Sequence, residues 1–319
     1  MKPKIIFLVG PTASGKSEVA IELASRIGAE IISCDSMQVY RGMQILTASP
    51  RTTLRKKLLH HLIGYVNPTK EYNVAIFRRD ALKVIKKIIK KKRVPLFVGG
   101  SGLYYKVLLD GIFEAKIEDK KIRNKLYNKA NRYGTDFLYG YLRKIDPPSA
   151  KKIHPHDLKR IARAIEVYEK TGIPISEWQK KTKGLSSDYN VIVFGLLRPK
   201  EIIYKRIKHR IEDMFKKGLI EEVKRLLRFK LSKTARQAIG IAEVAGYLEF
   251  QYDLNEVKRR MYINSVKLVK KQLTWFKRDH RIVWINIGNR SDYSKIAKEI
   301  IKKINAYGKS TSGNCKINF

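Results

Sequence analysis

Acidic residues are scarce in this chain. Against 68 Lys and Arg there are only 29 Asp and Glu, a formal net charge of +39 in 319 residues. So large an imbalance exceeds what solubility needs and favours a polyanionic partner, nucleic acid or an anionic membrane; the plainer alternative is a general richness in lysine. The positive charge is spread along the chain, in Lys86-Lys87, Lys90 to Arg93, Lys151-Lys152 and Lys270-Lys271, which excludes a single basic arm as its source. Cysteine is nearly absent: Cys34 and Cys315 are too few for a disulfide framework or a Cys-rich zinc site. No apolar stretch approaches the roughly 18 residues of a membrane-spanning helix, and Met1 to Lys4 lead straight into a short strand pattern. A soluble, cytoplasmic protein that does not enter membranes is expected. No internal repeat or low-complexity block is present, and the length suits two domains or one domain carrying an insertion.

What the chain does contain is a phosphate loop. Gly10, Pro11, Thr12, Ala13, Ser14, Gly15, Lys16 and Ser17 follow the apolar run Ile5 to Val9 and precede a helical pattern at Val19, Ala20, Leu23, Ala24 and Ile27. In G-x-x-x-x-G-K-[ST] the glycines let backbone N–H groups converge on a phosphate. The lysine reaches an outer phosphate and the serine hydroxyl, here Ser17, is a Mg²⁺ ligand. The following helix N-terminus adds a dipole favourable to anions. The motif specifies a diphosphate or triphosphate without specifying a nucleotide.

Apolar strands at 4–9, 30–33, 94–98, 190–197 and 282–287 alternate with amphipathic helices. This is the pattern of an α/β fold, a P-loop NTPase-like parallel sheet covered by helices. The strand signal disappears between Glu114 and Asp188, where the chain reads as helical, basic and punctuated by proline. The expected organisation is a P-loop-like core of 1–113 plus 189–305, a helical insertion domain at 114–188, and a disordered tail at 306–319. Helices are expected over about 200–217, ending at Gly218, over about 219–229, and from an N-cap at Ser291 to Ile304. In 255–279 a face of Tyr262, Val266, Val269, Leu273 and Phe276 predicts one core-packed helix.

Asp35 falls at the end of the second strand, where a doubly wound sheet binds its ligands. Its carboxylate there can hold Mg²⁺ through water, accept a proton from a nucleophile, or simply cap the following turn. His60 and His61, adjacent on an expected helix, point apart and lack a ligand partner, which argues against a metal site. Lys159, Arg160 and Arg163 lie on an expected helix, 157–170, as a phosphate-reading or merely solvated face. Trp275 and Phe276 fit either base stacking or a core.

Taken together, several motifs resemble the bacterial tRNA dimethylallyltransferases, the tRNA isopentenyltransferase family. They are GPTASGKS at 10–17, DSMQVYRGM at 35–43, His60-His61-Leu62, VGGSGLY at 98–104, HPHDLKRIARAIEVY at 154–168, QAIG at 237–240 and KQLTWFK at 271–277. The likeness runs in order from Pro3 to about Lys303. It implies transfer of a dimethylallyl group from dimethylallyl diphosphate to N6 of the adenosine 3′-adjacent to the anticodon, with Mg²⁺ as cofactor. The tRNA anticodon stem-loop is then the partner, and the enzyme is expected to be a monomer.

The resemblance assigns catalysis to Asp35, Ser101 and Lys16, diphosphate binding to Gly10 through Ser17, and Mg²⁺ to Ser17. It assigns tRNA contacts to Asp35, Ser36, Met37, Gln38, Ser101, Arg123, Lys159, Arg160, Ile161, Ala162, Arg163, Gln237, Gly240, Lys271, Gln272 and Lys277. Three positions depart from the family pattern: Ser101 replaces a threonine, Ile241 follows Gly240 where many relatives have tyrosine, and Lys271 stands where arginine is common. Lysine lacks the guanidinium fork, so a different phosphate contact is expected there. The competing functions are a phosphate-loop kinase of a small molecule, prenylation of free adenine nucleotides, and a basic RNA-binding module.

Overall fold

The computed structural model describes residues 2–50, 58–113 and 119–310. Six parallel strands form one sheet: β1 (Lys4–Val9), β2 (Ala29–Ser33), β3 (His60–His61), β4 (Val94–Gly99), β5 (Asn190–Leu197) and β6 (Ile282–Asn286), in the order β3-β2-β4-β1-β5-β6. Strands buried on both faces read as continuous apolar runs, which is why KIIFLV and VIVFGLL were legible as strands. Along β1 the side chains alternate. Ile6 and Leu8 join the core made with α1 (Lys16–Ile27) and the last helix (Tyr293–Ser310). Phe7 faces the other way, its ring stacked 4.6 Å from Phe97 of β4 and edge-on to Tyr105.

Between these strands run α2 (Val74–Lys90), capped by Asn73, and α3 (Gly102–Asp110). A helical segment follows: α4 (Lys120–Tyr133), α5 (Thr135–Ile145), α6 (Pro147–Ala150), α7 (Leu158–Thr171) and α8 (Ile175–Lys180). The C-terminal third carries α9 (Lys200–Lys216), α10 (Leu219–Leu227), α11 (Ile241–Leu248), α12 (Leu254–Lys277) and α13 (Tyr293–Ser310). The chain divides into two compact units, residues 1–107 with 188–319, and residues 108–187. The second has its own core, in which Leu126 and Ala130 of α4, Leu138 and Leu142 of α5, and Ile161, Ile165 and Val167 of α7 pack together.

Several local expectations are corrected. His60 and His61 form the edge strand β3 and pair with Ile31 and Ile32; they are not helical. His61 Nε2 lies 2.7 Å from the buried carboxylate of Glu30, which Lys91 also approaches. The last helix is capped by Asp292, whose carboxylate accepts from Lys295 N, and not by Ser291. That helix continues through Ser310, so 306–310 are helical; 311–319, Cys315 and the segment 114–118 lie outside the described residues. In α12 the fully buried positions are Val257, Met261, Val269 and Phe276, while Tyr262, Val266 and Leu273 are half-buried. Gly218 does stop α9, with φ 86.

Candidate active site

The loops at the carboxyl ends of β1, β2 and β4 contribute to one cleft. The turn after β1 is the phosphate loop. Gly15, at φ 95, gives the left-handed step that starts α1, and a Cβ there would crowd Tyr293. Ala13 is held at φ 60, a conformation costly for a residue with a Cβ, at the crest of the loop. The amides of Lys16 and Ser17 open α1, where no carbonyl precedes them by one turn, so they are available to an anion. Lys16 Nζ donates to Pro11 O at 2.6 Å and lies 3.5 Å from Ser14 Oγ. Desolvation by burial pulls its pKa down to about 8, with Asp35 opposing and Arg210 adding to the effect.

Three arginines that the sequence reading missed brace this loop. Arg198, at the end of β5 and only 4% exposed, donates from Nε to Ser14 O at 3.3 Å and to the carbonyls of Gly288 and Arg290. From α9, Arg206 donates to Ala13 O at 2.9 Å and to Glu18 at 2.9 Å, and Arg210 donates to Thr12 Oγ1 at 2.9 Å. Burial lowers the pKa of Arg210, yet a guanidinium remains charged throughout the useful pH range. The spacing Arg206/Arg210, one helical turn, was the available signal, but many basic i,i+4 pairs in this chain look the same.

The loop after β2 carries Asp35. Its Oδ1 accepts from Met37 N at 2.8 Å and Gln38 N at 3.3 Å, so one oxygen caps the turn as the plainer reading had it. Among the described residues Oδ2 accepts no hydrogen bond, and it belongs to a residue lining the cleft. Ser36 N donates to Ser101 Oγ at 3.1 Å, tying the Asp35 turn to the glycine-rich turn after β4. Gln38 is also engaged: its Oε1 accepts from Ser33 Oγ at 2.9 Å. Thr12, Ala13, Gly15, Lys16, Ser17, Asp35 and Gln38 line a single cavity of about 690 Å³, together with Arg206, Arg210 and Gln272.

The donor set fits a hard divalent cation. The Ser17 hydroxyl is a hard oxygen donor beside a phosphate-binding loop, a combination that would suit Mg²⁺ once phosphate and water complete its shell. Among the described residues no group of three or more His, Cys, Asp and Glu forms a self-sufficient metal site.

Of the remaining predicted tRNA contacts, Gln272 alone lines this cavity. Lys159 and Arg160 are exposed on α7, Arg160 paired with Asp157 at 3.2 Å. Ile161 and Ala162 are 0% and 1% exposed, their side chains in the core of the second unit. Their position in the apolar stripe of α7 is the reason. Arg123 and Arg163 both hold the buried carboxylate of Glu166, each reaching it at 2.9 Å, and Asp119 N donates to the same group. Gly240 is buried with φ 110, its N–H donating to Glu243 Oε2 at 2.7 Å, whereas Gln237 is exposed. Lys271 and Lys277 are exposed on α12; Gln272 turns inward to the phosphate loop. Phe276 is core at 1% exposed, while Trp275 stays 41% exposed with its ring against Gly102.

Comparison with known proteins finds relatives along nearly the whole chain. The family model described as IPP transferase matches residues 38–279, and one described as isopentenyl transferase matches 3–65. A tRNA dimethylallyltransferase of Halothermothrix orenii is 41% identical over 301 residues, covering 93% of this chain and 92% of its own. One of Carboxydothermus hydrogenoformans is 43% identical over 304 residues, covering 94% and 97%. Among solved structures, the full-length tRNA isopentenylpyrophosphate transferase of Bacillus halodurans superposes with a TM-score of 0.72 at 34% identity, over 98% of this chain and all of that one. A eukaryotic dimethylallyltransferase acting on tRNA superposes with a TM-score of 0.83 at 27% identity, over 97% of this chain and 80% of that one.

Proposed function

The chain belongs to the IPP transferase family, and from that premise we propose that it transfers a dimethylallyl group from dimethylallyl diphosphate to N6 of the tRNA adenosine 3′-adjacent to the anticodon. One observation carries the reading: the phosphate loop and the Asp35 carboxylate open on the same cavity, so a leaving diphosphate and a nucleophilic amine share one site. The C–O bond of the allylic diphosphate breaks and the N6–C bond forms. The N6 proton passes to Asp35, whose Oδ2 is left available by a turn that occupies only Oδ1. Neutral adenine N6 is a weak nucleophile, so rate comes from holding both partners and from stabilising charge on the departing oxygen.

That charge meets the amides of Lys16 and Ser17, the Lys16 ammonium, and Arg210 beside Thr12. Mg²⁺ would be held by Ser17 and the diphosphate, supplying Lewis-acid neutralisation of the leaving group. Ser101 acts by fixing Ser36, hence the turn that aims Asp35. The surface lysines and arginines, among them Lys159, Arg160, Lys271 and Lys277, supply the attraction for the anticodon stem-loop. A site lined by one chain and a tRNA substrate support the further proposal that the protein acts as a monomer in the cytoplasm.

The test is incubation of labelled dimethylallyl diphosphate and Mg²⁺ with tRNA transcripts. Label should enter the transcript with release of diphosphate, and should not enter one whose target adenosine is replaced by guanosine. Incorporation into AMP at a rate equal to that into tRNA would overturn the assignment of acceptor.

A further inference from the structure

Gln272 follows Lys270 and Lys271, both exposed, and precedes the half-buried Leu273 on α12. Its own side chain turns inward. Oε1 accepts from Thr12 N at 2.8 Å, and Nε2 donates to Gly100 O at 3.0 Å. The contacts join residues 260 and 172 positions apart in sequence. A Cβ on Gly100 would come within 2.3 Å of the amide nitrogen, so the glycine there makes room for this side chain.

The frame on either side is rigid. One turn beyond Gln272, Phe276 is buried and meets Tyr105 edge-on at 5.8 Å, and Tyr105 in turn meets Phe7 of β1. Tyr105 OH donates to Asp279 at 3.0 Å, and Trp275 lies against Gly102. The end of α12 is thereby locked to the strand ends that carry the two loops. From Gly100 the connection continues through Ser101 Oγ to Ser36 N, next to Asp35.

We propose that Gln272 is a positioning residue of the transfer reaction, setting the distance between the phosphate loop and the turn that aims Asp35, and is not a tRNA contact. The inference rests on the transferase reading above. The site needs an acceptor toward Thr12 N and a donor toward Gly100 O from one planar group, and an amide supplies both. A carboxylate of the same shape presents a second acceptor to Gly100 O. A protonated carboxyl restores one donor and one acceptor. Misplacement of reacting groups by about 1 Å costs on the order of 10²-fold in rate, so the two loops' separation is a sensitive quantity.

The experiment compares Gln272→Glu and Gln272→Ala with Lys271→Ala in the full chain. Saturating turnover, tRNA affinity, inorganic diphosphate affinity and thermal midpoint are measured for each. Gln272→Glu should lower kcat by about 30- to 100-fold and weaken diphosphate binding several-fold, with tRNA affinity within about threefold of the parent and an unchanged thermal midpoint. Its kcat relative to the parent should recover as pH falls and the carboxyl takes up a proton. Lys271→Ala should show the reverse balance, a loss of tRNA affinity larger than any loss of kcat, with diphosphate affinity held. Tenfold loss of tRNA affinity in Gln272→Ala with kcat retained would overturn the proposal, as would kcat losses that merely track unfolding. Should the parent transfer no prenyl group to any tRNA, the functional reading fails. The diphosphate and tRNA affinities of Gln272→Glu then still decide whether this side chain serves the phosphate loop or the RNA.

Discussion

The cations of the cleft and those on the surface of α7 are the same residue types put to opposite uses. Around the phosphate loop each one is anchored to backbone or to a loop hydroxyl: Lys16 to Pro11 O, Arg198 to Ser14 O, Arg206 to Ala13 O, Arg210 to Thr12 Oγ1. They are oriented before any anion arrives, so their reorganisation cost is already met in the folded state. On α7, Lys159 and Arg160 extend into solvent, where a charge attracts phosphate without fixing it. Between the extremes, Arg123 and Arg163 are taken up by Glu166 and serve the second unit's own stability. A net charge of +39 therefore says little about which cation does chemistry; what separates them is where the backbone holds them.

The strongest way to break this contrast is at the base. Asp35→Asn should lower kcat by about 10³-fold, within the range for loss of a general base, while tRNA affinity measured by filter binding stays within a few-fold. An equal collapse of affinity would make Asp35 structural. Next comes the buried carboxylate of the second unit. Glu166→Ala leaves two guanidinium groups and Asp119 N without their acceptor, and a loss of about 2 kcal/mol is expected in urea unfolding, discounted because both arginines keep contact with water. The diphosphate site itself should be unaffected.

The third is a pH effect with a defined sign. Lys16 has its pKa lowered to about 8, so below that pH the ammonium is charged and the cost of burying it is present in full. As pH rises from about 8 toward 10.5 the cost disappears, but so does the charge facing the anion. Affinity for inorganic diphosphate, followed by calorimetry, should fall above about pH 8 with proton uptake on binding, and Lys16→Arg should flatten the profile. The smallest effect is at the surface. Lys159→Ala should weaken tRNA binding a few-fold, uniformly across tRNAs, and reduce the salt slope by about 1, with kcat unchanged.

What was legible in the sequence is what local spacing encodes. The phosphate loop, the five longer strands and Asp35 at a strand end all announce themselves within about a dozen residues, because period and motif are local properties. Arg198, Arg206 and Arg210 acquire meaning only through partners nearly 200 residues away, so nothing near them in sequence distinguishes them from any surface arginine. For Arg163 the partner Glu166 lies three residues on, but that the carboxylate is buried and shared with Arg123 is a tertiary fact. Ile161 and Ala162 belong to the buried stripe of α7, which helical spacing makes legible only in part. His60-His61 is too short for a strand period to register, and its pairing with β2 decided its structure. Gln272 looked like one of its lysine neighbours until the fold turned it inward.

The most direct test of the account is mass analysis of the nucleosides of tRNA incubated with this protein, dimethylallyl diphosphate and Mg²⁺. A single five-carbon group on N6 of the adenosine 3′ to the anticodon is the predicted result. Unmodified adenosine throughout, accompanied by consumption of ATP with no requirement for the prenyl donor, would contradict it.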